Sequence, residues 1–163
     1  KFQRILVNTP SLFEGYLDEE GKLIRNLNHD GYFSTGDLGY KKMNKLILAG
    51  REKDIIKKGG FLVNLREIEL ITSNIEDVYE VAAIKINDEF YGETSIVFFS
   101  SKKKILPKDK DKIEFEIFEK ITSSFAKQKW PKKVVYISEL PKTRSGKISK
   151  FKLKQVYEKS ITK

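Results

Sequence analysis

The chain has 163 residues, of which 39% are hydrophobic and 34% are charged, and its formal net charge is +9. It contains no cysteine and a single histidine, which excludes disulfides, thiolate catalysis and cysteine-based zinc sites and leads us to expect no metal site. Its apolar runs are too short to span a bilayer, so we expect a soluble, cytoplasmic protein with one ordinary hydrophobic core, or one and a small satellite.

The positive charge would favour encounter with nucleic acid, an anionic membrane surface or an anionic small molecule, and charge alone does not choose among them. The chain also begins without a methionine, in the middle of a strand-like pattern, and shows no signal peptide. We therefore expect a piece of a longer protein.

The first fifty residues predict short β-strands separated by turns. Runs of β-favouring residues occupy 5–7, 16–17 and 46–48, and an Asp-Glu-Glu-Gly turn follows the second run. A β-hairpin is predicted next, because two further runs flank Gly59-Gly60, and paired glycines readily adopt the positive φ of a two-residue turn.

The rest of the chain predicts an α+β unit. Asn64 and Glu67 fit an N-cap and capping-box pair for a helix over about 65–75. Two paired strands, an amphipathic helix, one more strand and a short terminal helix are then predicted, over residues 78–86, 94–100, 110–129, 134–137 and around 153–157. We thus expect a hairpin and a short mixed sheet covered by about three helices, with the lysine-rich residues 102–104 and 108–112 in an exposed loop.

Two charged residues near glycines could bind a nucleotide, since small residues let a backbone approach phosphate or sugar closely. Asp37 stands between glycines at an expected strand end, where its carboxylate could accept both hydroxyls of a ribose. Arg51, just before the hairpin, could bind ribose or phosphate oxygens through its rigid guanidinium. The alternatives are a common turn at Asp37 and a surface ion pair between Arg51 and Asp54.

A third segment, residues 140–148, predicts a tight loop that presents Lys147 directly after a glycine. It is not a P-loop, because Pro141 stands where a Walker pattern needs its first glycine and Ile148 follows the lysine. Taken alone, this segment favours a solvated lysine at position 147 over a catalytic one.

In this order, the three segments resemble the adenylate-forming superfamily of acyl-CoA synthetases, luciferases and peptide-synthetase adenylation domains. The late motifs of that family read TGD, GRxxDxIKxGG and PKTxSGK, and they match residues 35–37, 50–60 and 141–147. Shorter matches lie between them, so the resemblance covers almost the whole chain.

The resemblance implies a function for each matching residue. Asp37 and Arg51 would hold the ribose of ATP or of the acyl-adenylate, and Lys53 would occupy the hinge. Lys147 would be catalytic, because a compact ammonium can stabilise the charge that develops when a carboxylate attacks the α-phosphate. Gly59 and Gly60 would line a pantetheine tunnel after the lid has turned, and Lys57 matches a position that some members use in the second half-reaction.

The resemblance also implies a domain organisation. Residues 1–52 would be the β-rich end of a large amino-terminal adenylation domain, and residues 53–163 would form the carboxyl-terminal lid. The large domain, which holds most of the ATP and Mg²⁺ contacts and the acyl pocket, would be missing, so the chain alone should not turn over.

Three departures from the family pattern stand out. Lys150 stands where many members have arginine, Leu65-Arg66 replaces the usual proline region, and the hairpin at residues 41–45 is unusually basic and could contact a partner.

The main hypothesis is therefore a fragment of an ATP-dependent ligase that activates a fatty or other organic acid and transfers it to CoA or to the phosphopantetheine of an acyl or peptidyl carrier protein. The alternative is a non-catalytic basic module on the same fold, binding a protein or nucleic acid. We expect no nucleic acid, because the dispersed lysines lack an aromatic platform. The acid, the acceptor and the oligomeric state stay open at this point.

Overall fold

The computed structural model describes residues 2–103 and 105–161, and it divides the chain into two compact units, Lys1–Lys53 and Asp54–Lys163. Each unit is described by itself. Among the described residues, no helix combines the length and the apolar character needed to cross a membrane.

The first unit is built from short antiparallel strands. They are β1 (Gln3–Val7), β2 (Tyr16–Leu17), β3 (Leu23–Ile24), β4 (Phe33–Lys42) and β5 (Lys45–Arg51). Strands β1, β4 and β5 form one sheet in that order, and β2 pairs with β3. The expectation of a strand-rich, helix-poor segment is confirmed.

The position of Asp37 differs from the expectation of a strand end, because Asp37 lies inside the ten-residue strand β4. Glycines give weak strand signals on their own. Pairing with β1 on one side and β5 on the other supplies the backbone hydrogen bonds that keep this glycine-rich stretch extended.

The second unit contains the predicted hairpin, sheet and helices. Its elements are β6 (Ile55–Lys58), β7 (Phe61–Asn64), α1 (Leu65–Ser73), β8 (Glu80–Asp88), β9 (Gly92–Ser100), α2 (Pro107–Ser124), β10 (Lys133–Tyr136) and α3 (Lys150–Ile161). The Asn64 side chain accepts a hydrogen bond from the Arg66 amide at the start of α1, as its predicted N-cap role requires. The α+β fold class is confirmed.

Strand β9 is the centre of a mixed sheet. It pairs with antiparallel β8 from Glu80↔Ser100 to Asp88↔Gly92, and with parallel β10 through residues 96–99. The β6–β7 hairpin joins at Lys58↔Gly92. Because β8 occupies one edge of β9 along its length, β10 and β6 share the other edge.

Both faces of this sheet are buried. Phe99 packs with residues of α1 and α2, such as Ile68 and Ile117, whereas Phe98 packs with Leu140 and with Leu153 of α3. Successive strand residues point to opposite faces, so a sheet with two covered faces requires a continuous apolar run rather than alternation. The run at residues 96–99 meets that requirement.

Helix α2 differs from its prediction at both ends. It begins at Pro107, whose fixed φ suits the first helical position, so residues 108–112 belong to the helix and the prediction of a loop there is wrong. Lys104 lies outside the described residues. The helix ends before Phe125, which is extended with φ −132° and ψ 150°, rather than at residue 129.

Candidate functional site

Asp37 and Arg51 form an ion pair in the first unit. They face each other across β4 and β5, and the Arg51 Nε lies 2.8 Å from the Asp37 Oδ1. The predicted alternative of an Arg51–Asp54 pair is wrong, since strand register places Arg51 beside Asp37. Both side chains are open to solvent, with exposed fractions of 56% for Arg51 and 32% for Asp37.

The backbone around Asp37 supports this pair. Gly36 adopts a positive φ of 74°, and the Arg51 Nη1 donates to the Thr35 carbonyl at 3.0 Å. The Thr35 hydroxyl accepts from the Asp37 amide at 3.0 Å and donates to the Ile5 carbonyl at 3.1 Å. The result is an ordered carboxylate beside an ordered guanidinium. The carboxylate can accept hydrogen bonds from hydroxyl groups, and the guanidinium can donate to anionic oxygens at the same place.

Lys53 lies in a 3₁₀ turn, Glu52–Asp54, between two anchored carboxylates. Glu52 accepts from the Arg4 guanidinium, with the shortest contact at 2.7 Å. Asp54 accepts from Lys150 Nζ at 2.8 Å. Lys53 itself is exposed and forms no ion pair among the described residues. The side chains on either side of the predicted hinge residue therefore form ion pairs, whereas the Lys53 side chain forms none among the described residues.

The hairpin turn has the geometry that its glycines predict. Gly59 and Gly60 have φ values of 54° and 86°, and the Gly59 amide donates to the Tyr91 carbonyl at 3.0 Å. The exposed Lys57 is fixed through its backbone, whose N–H donates to Glu93 Oε2 at 2.7 Å. Its ammonium is left to solvent.

The neighbouring Lys58 is buried, and sequence reasoning gave it no part. Its Nζ donates to the Trp130 carbonyl at 2.6 Å and lies 4.9 Å from the centre of the Tyr91 ring. Burial lowers the pKa of Lys58, and the charge of Asp88 opposes that shift. Lys58 therefore ties the hairpin to the β8–β9 turn and to the segment before β10.

Alanine substitutions in the hairpin turn are expected to cost stability for two separable reasons. Gly60→Ala should lower the free energy of unfolding by about 1–2 kcal/mol, from positive φ alone, because a Cβ there meets nothing within 4 Å. Gly59→Ala should cost at least as much, since its Cβ would also lie 3.3 Å from Tyr91 Cδ1. Urea unfolding measures both, and Gly60→Asn, which tolerates positive φ, is the control. Losses no larger than that of the control would contradict the turn geometry.

Lys147 lies in a tightly hydrogen-bonded loop. The Thr143 amide donates to the Lys147 carbonyl at 2.8 Å, and the Gly146 amide donates to the Thr143 carbonyl at 3.0 Å. Gly146 has a φ of 79°, which explains the glycine before the lysine. The loop leaves the core after fully buried Leu140 and returns at Ser149, whose amide donates to the Pro141 carbonyl at 2.7 Å.

The Lys147 ammonium is exposed and forms no ion pair among the described residues. Nearby lysines differ from it: Lys142 Nζ lies 2.9 Å from Glu80 Oε1, and Lys152 Nζ donates to the Lys142 carbonyl at 3.4 Å. The hydrogen bond from Lys142 to Glu80 raises the pKa of Lys142. An ordered loop thus presents one lysine that no described acid of its unit pairs.

Lys150 occupies a site that sequence reasoning treated only as a departure from a family pattern. Its Nζ lies 2.8 Å from Asp54 Oδ1 and 2.9 Å from Glu69 Oε1. Burial lowers the pKa of Lys150, but the hydrogen bonds and charges of the two carboxylates outweigh it and raise the pKa overall. Asp54 is 96 residues away in the chain, so no local pattern could have revealed the contact.

Apart from the predicted hinge residue Lys53, the predicted site residues fall into three groups. The structure joins Asp37 and Arg51 in the first unit, and it places Lys57, Gly59 and Gly60 on one hairpin of the second unit. Lys147 lies in a separate loop of that second unit. Within the described part of the chain, no group of three His, Asp or Glu side chains could hold a metal ion.

Comparison with known proteins shows what this chain is similar to. Residues 67–147 match the family described as the AMP-binding enzyme C-terminal domain. The chain is 35% identical over 153 residues to 2-methylpropanoate–CoA ligase CCL4 of Humulus lupulus, covering 93% of the chain and 27% of that protein. It is 33% identical over 159 residues to the medium-chain fatty-acid–CoA ligase of Escherichia coli, covering 94% of this chain and 27% of that protein.

Solved structures show the same similarity. ATP-bound MatB from Rhodopseudomonas palustris superposes with a TM-score of 0.74 at 29% identity, covering 97% of this chain and 31% of that one. McyG A-PCP complexed with phenylalanyl-adenylate superposes with a TM-score of 0.76 at 27% identity, covering 99% of this chain and 29% of that one. The chain therefore spans less than a third of the proteins that it matches.

Proposed function

Because this chain belongs to the adenylate-forming superfamily and carries its carboxyl-terminal domain, we propose that it is the carboxyl-terminal part of an ATP-dependent acid–thiol ligase. Its second unit, Asp54–Lys163, would be the lid, and its first unit would be the end of the large adenylation domain. The observation that carries the proposal is Lys147, an exposed lysine without an ion pair among the described residues, held on a hydrogen-bonded loop.

The proposed reaction has two steps. A carboxylate oxygen of the acid attacks the α-phosphorus of ATP, and the bond to pyrophosphate breaks to leave an acyl-adenylate. A thiolate then attacks the acyl carbon, and AMP leaves. We assign the Mg²⁺ that accompanies ATP mainly to the parts of the ligase outside this chain, where the phosphates of ATP would help to hold it.

In the first step, Lys147 would stabilise charge in the transition state. The attack brings a carboxylate and a phosphate together, and a positive group placed between them stabilises this arrangement more than it stabilises the separate reactants. A lysine already paired with a carboxylate of its own unit would lose much of this effect. The Lys147 ammonium has no ion-pair partner among the described residues and is available for this role.

Asp37 and Arg51 would hold the ribose in both steps. The Asp37 carboxylate is paired with Arg51 through Oδ1, and its Oδ2 has no partner among the described residues. An ionised carboxylate with a free oxygen is a strong acceptor for hydroxyl groups. The guanidinium orients it and supplies further donors.

Asp37→Ala is expected to raise the KM for ATP by roughly 10- to 100-fold in the full-length ligase. The loss of hydrogen bonds to a charged group is worth about 1.5–3 kcal/mol, which corresponds to that change in affinity. Glu14→Gln, which alters another exposed ion pair of the first unit, is the matched control. An unchanged KM in Asp37→Ala would remove Asp37 from the proposed site.

Between the two steps, the lid would turn about Lys53. Support comes from the side chains on either side of Lys53, because Glu52 pairs with Arg4 and Asp54 with Lys150, each within its own unit. The Gly59-Gly60 turn and Lys57 would then face the phosphopantetheine of the acceptor. Glycines without side chains allow a narrow arm to pass close to the backbone.

The acceptor could be CoA or a carrier protein, because both present the same thiol. Several relatives are named as CoA ligases, whereas the McyG structure contains an adenylation domain joined to a carrier. Thioester formation measured with CoA and with a pantetheinylated carrier protein distinguishes the two.

The experiment that tests the proposal is carboxylate-dependent ATP–pyrophosphate exchange by the full-length ligase, measured across a panel of fatty and other organic acids. Exchange that requires one class of acid supports adenylation and identifies the substrate. Absence of exchange with every acid would overturn it in favour of a binding module that retains the fold.

A further inference from the structure

Lys150 is held between two carboxylates that the chain brings together from distant positions. Its Nζ contacts Asp54 Oδ1 at 2.8 Å and Glu69 Oε1 at 2.9 Å. The Glu69 side chain is 5% exposed and that of Asp54 is 18% exposed, so neither charge is well screened by water. One ammonium therefore bridges two poorly solvated acids, and Arg66 supplies a second positive charge to Glu69.

Glu69 has a full set of partners that fix its position. Its Oε1 also accepts from the Ala83 amide in β8 at 2.9 Å, and its Oε2 lies 3.3 Å from Arg66 Nη1. The carboxylate is thus anchored to the central sheet as well as to α1. Lys150 is in turn anchored to the rigid centre of the second unit.

Lys150 also begins the helix that closes the Lys147 loop. It follows Ser149, whose amide donates to the Pro141 carbonyl and whose carbonyl accepts from the Leu153 amide at 3.1 Å. Leu153, in the first turn of α3, is fully buried against the sheet. Lys147 therefore lies three residues from a side chain that is bound on two sides.

We propose that Lys150 is a positioning residue that joins the Lys147 loop to Asp54, the residue directly after the hinge. The loop and Asp54 would then move together as one rigid body. The inference rests on the proposed function, in which Lys147 enters and leaves the adenylation site as the lid turns about Lys53. Through its contact with the Asp54 carboxylate, Lys150 would move with the residue next to the hinge when the lid turns. Through its contact with the Glu69 carboxylate, the same ammonium is held to the sheet.

The two carboxylates explain why this contact must be cationic. Without Lys150, Asp54 would lose its ion-pair partner and would lie close to the negative charge of Glu69, which Arg66 and the Ala83 amide would still contact. A poorly solvated charge without a partner is strongly disfavoured. The Lys147 loop and the start of α3 would then shift away from Asp54. Arginine can contact both acids and preserve the link, whereas methionine keeps the length of the side chain without its charge.

The first test uses the chain itself and amide hydrogen exchange at Gly146 and Ser149. In Lys150→Met both amides should exchange at least about tenfold faster, because the loop opens locally without unfolding the unit. Lys150→Arg should retain the slow rates. The matched control is Lys129→Met, which removes a different partly buried ion pair, that with Glu67, from the same unit. Equal rates in Lys150→Met and the control would overturn the proposal.

The second test measures both half-reactions in the full-length ligase. Lys150→Met should lower kcat for ATP–pyrophosphate exchange about 100-fold with little change in KM for ATP, because a small misplacement of a catalytic group has an effect of this size. Thioester formation from supplied acyl-adenylate should fall far less, since the Lys147 loop has no part in that step. Lys150→Arg should recover exchange to within a few-fold.

The outcomes separate this inference from the proposed function. If Lys147→Ala abolishes exchange but Lys150→Met does not, the positioning role is refuted and the proposed function stands. If Lys150→Met lowers both half-reactions equally, or if arginine fails to restore exchange, Lys150 is merely structural. If Lys147→Ala leaves exchange intact, the proposed function itself fails.

Discussion

Replacing Lys147 by alanine is expected to lower kcat for ATP–pyrophosphate exchange by roughly 100- to 1,000-fold in the full-length ligase, the range found when one preorganised electrostatic group is removed from an active site. The KM for ATP should change much less, because Lys147 is proposed to act on charge that develops only in the transition state. Thioester formation from supplied acyl-adenylate should be largely retained.

The stability of the protein should not change with this substitution. Lys147 is exposed and has no ion pair in the described part of the chain, so its removal should alter the free energy of unfolding by less than about 0.5 kcal/mol. Arg144→Ala, at another exposed position of the same loop, is the control and should keep near-normal exchange. Similar losses in both variants would indicate a general effect of loop charge and contradict the specific role of Lys147.

The largest expected effects on stability come from two adjacent phenylalanines. Phe98 and Phe99 are 1% and 0% exposed and pack on opposite faces of β9. Phe98→Ala and Phe99→Ala should each lower the free energy of unfolding by about 3–5 kcal/mol, because each leaves a cavity in a separate packed layer. A sheet covered on one face only would show a large loss in just one of them.

Urea unfolding followed by tryptophan fluorescence measures these losses. The chain has one tryptophan, Trp130, which lies in the second unit and therefore reports that unit. Phe90→Ala is the matched control, since Phe90 is 83% exposed and its loss should cost less than about 0.5 kcal/mol. A small effect in either Phe98→Ala or Phe99→Ala would show that the corresponding face is not a packed core.

Much of the second unit could be predicted from local patterns. The glycine pair, the cap at Asn64 and the apolar runs of β8 and β9 each carry their structural signal within a few residues. Helix α2 shows where such signals fail. Its apolar periodicity predicts a helix, but the lysine-rich first turn resembles a loop. No local signal requires the helix to end before Phe125.

The first unit was harder to predict in detail. The glycines of β4 weaken its strand signal, and only pairing with β1 and β5 makes it a continuous strand that contains Asp37. The same pairing decides that Arg51 binds Asp37 rather than Asp54. Local pattern cannot supply strand register, because register depends on which residues of a distant strand lie opposite.

By itself, the sequence determined which residues could carry chemistry, because the motifs around Asp37, Arg51 and Lys147 are contiguous and need no knowledge of long-range contacts. Only the tertiary structure decided which of the charged side chains form ion pairs within the chain. It pairs Lys150 with Asp54 and Glu69 and leaves Lys147 without an ion pair among the described residues. The physical reason is that the charge state of a surface depends on distances between side chains, and the fold sets those distances across as many as 96 residues of chain.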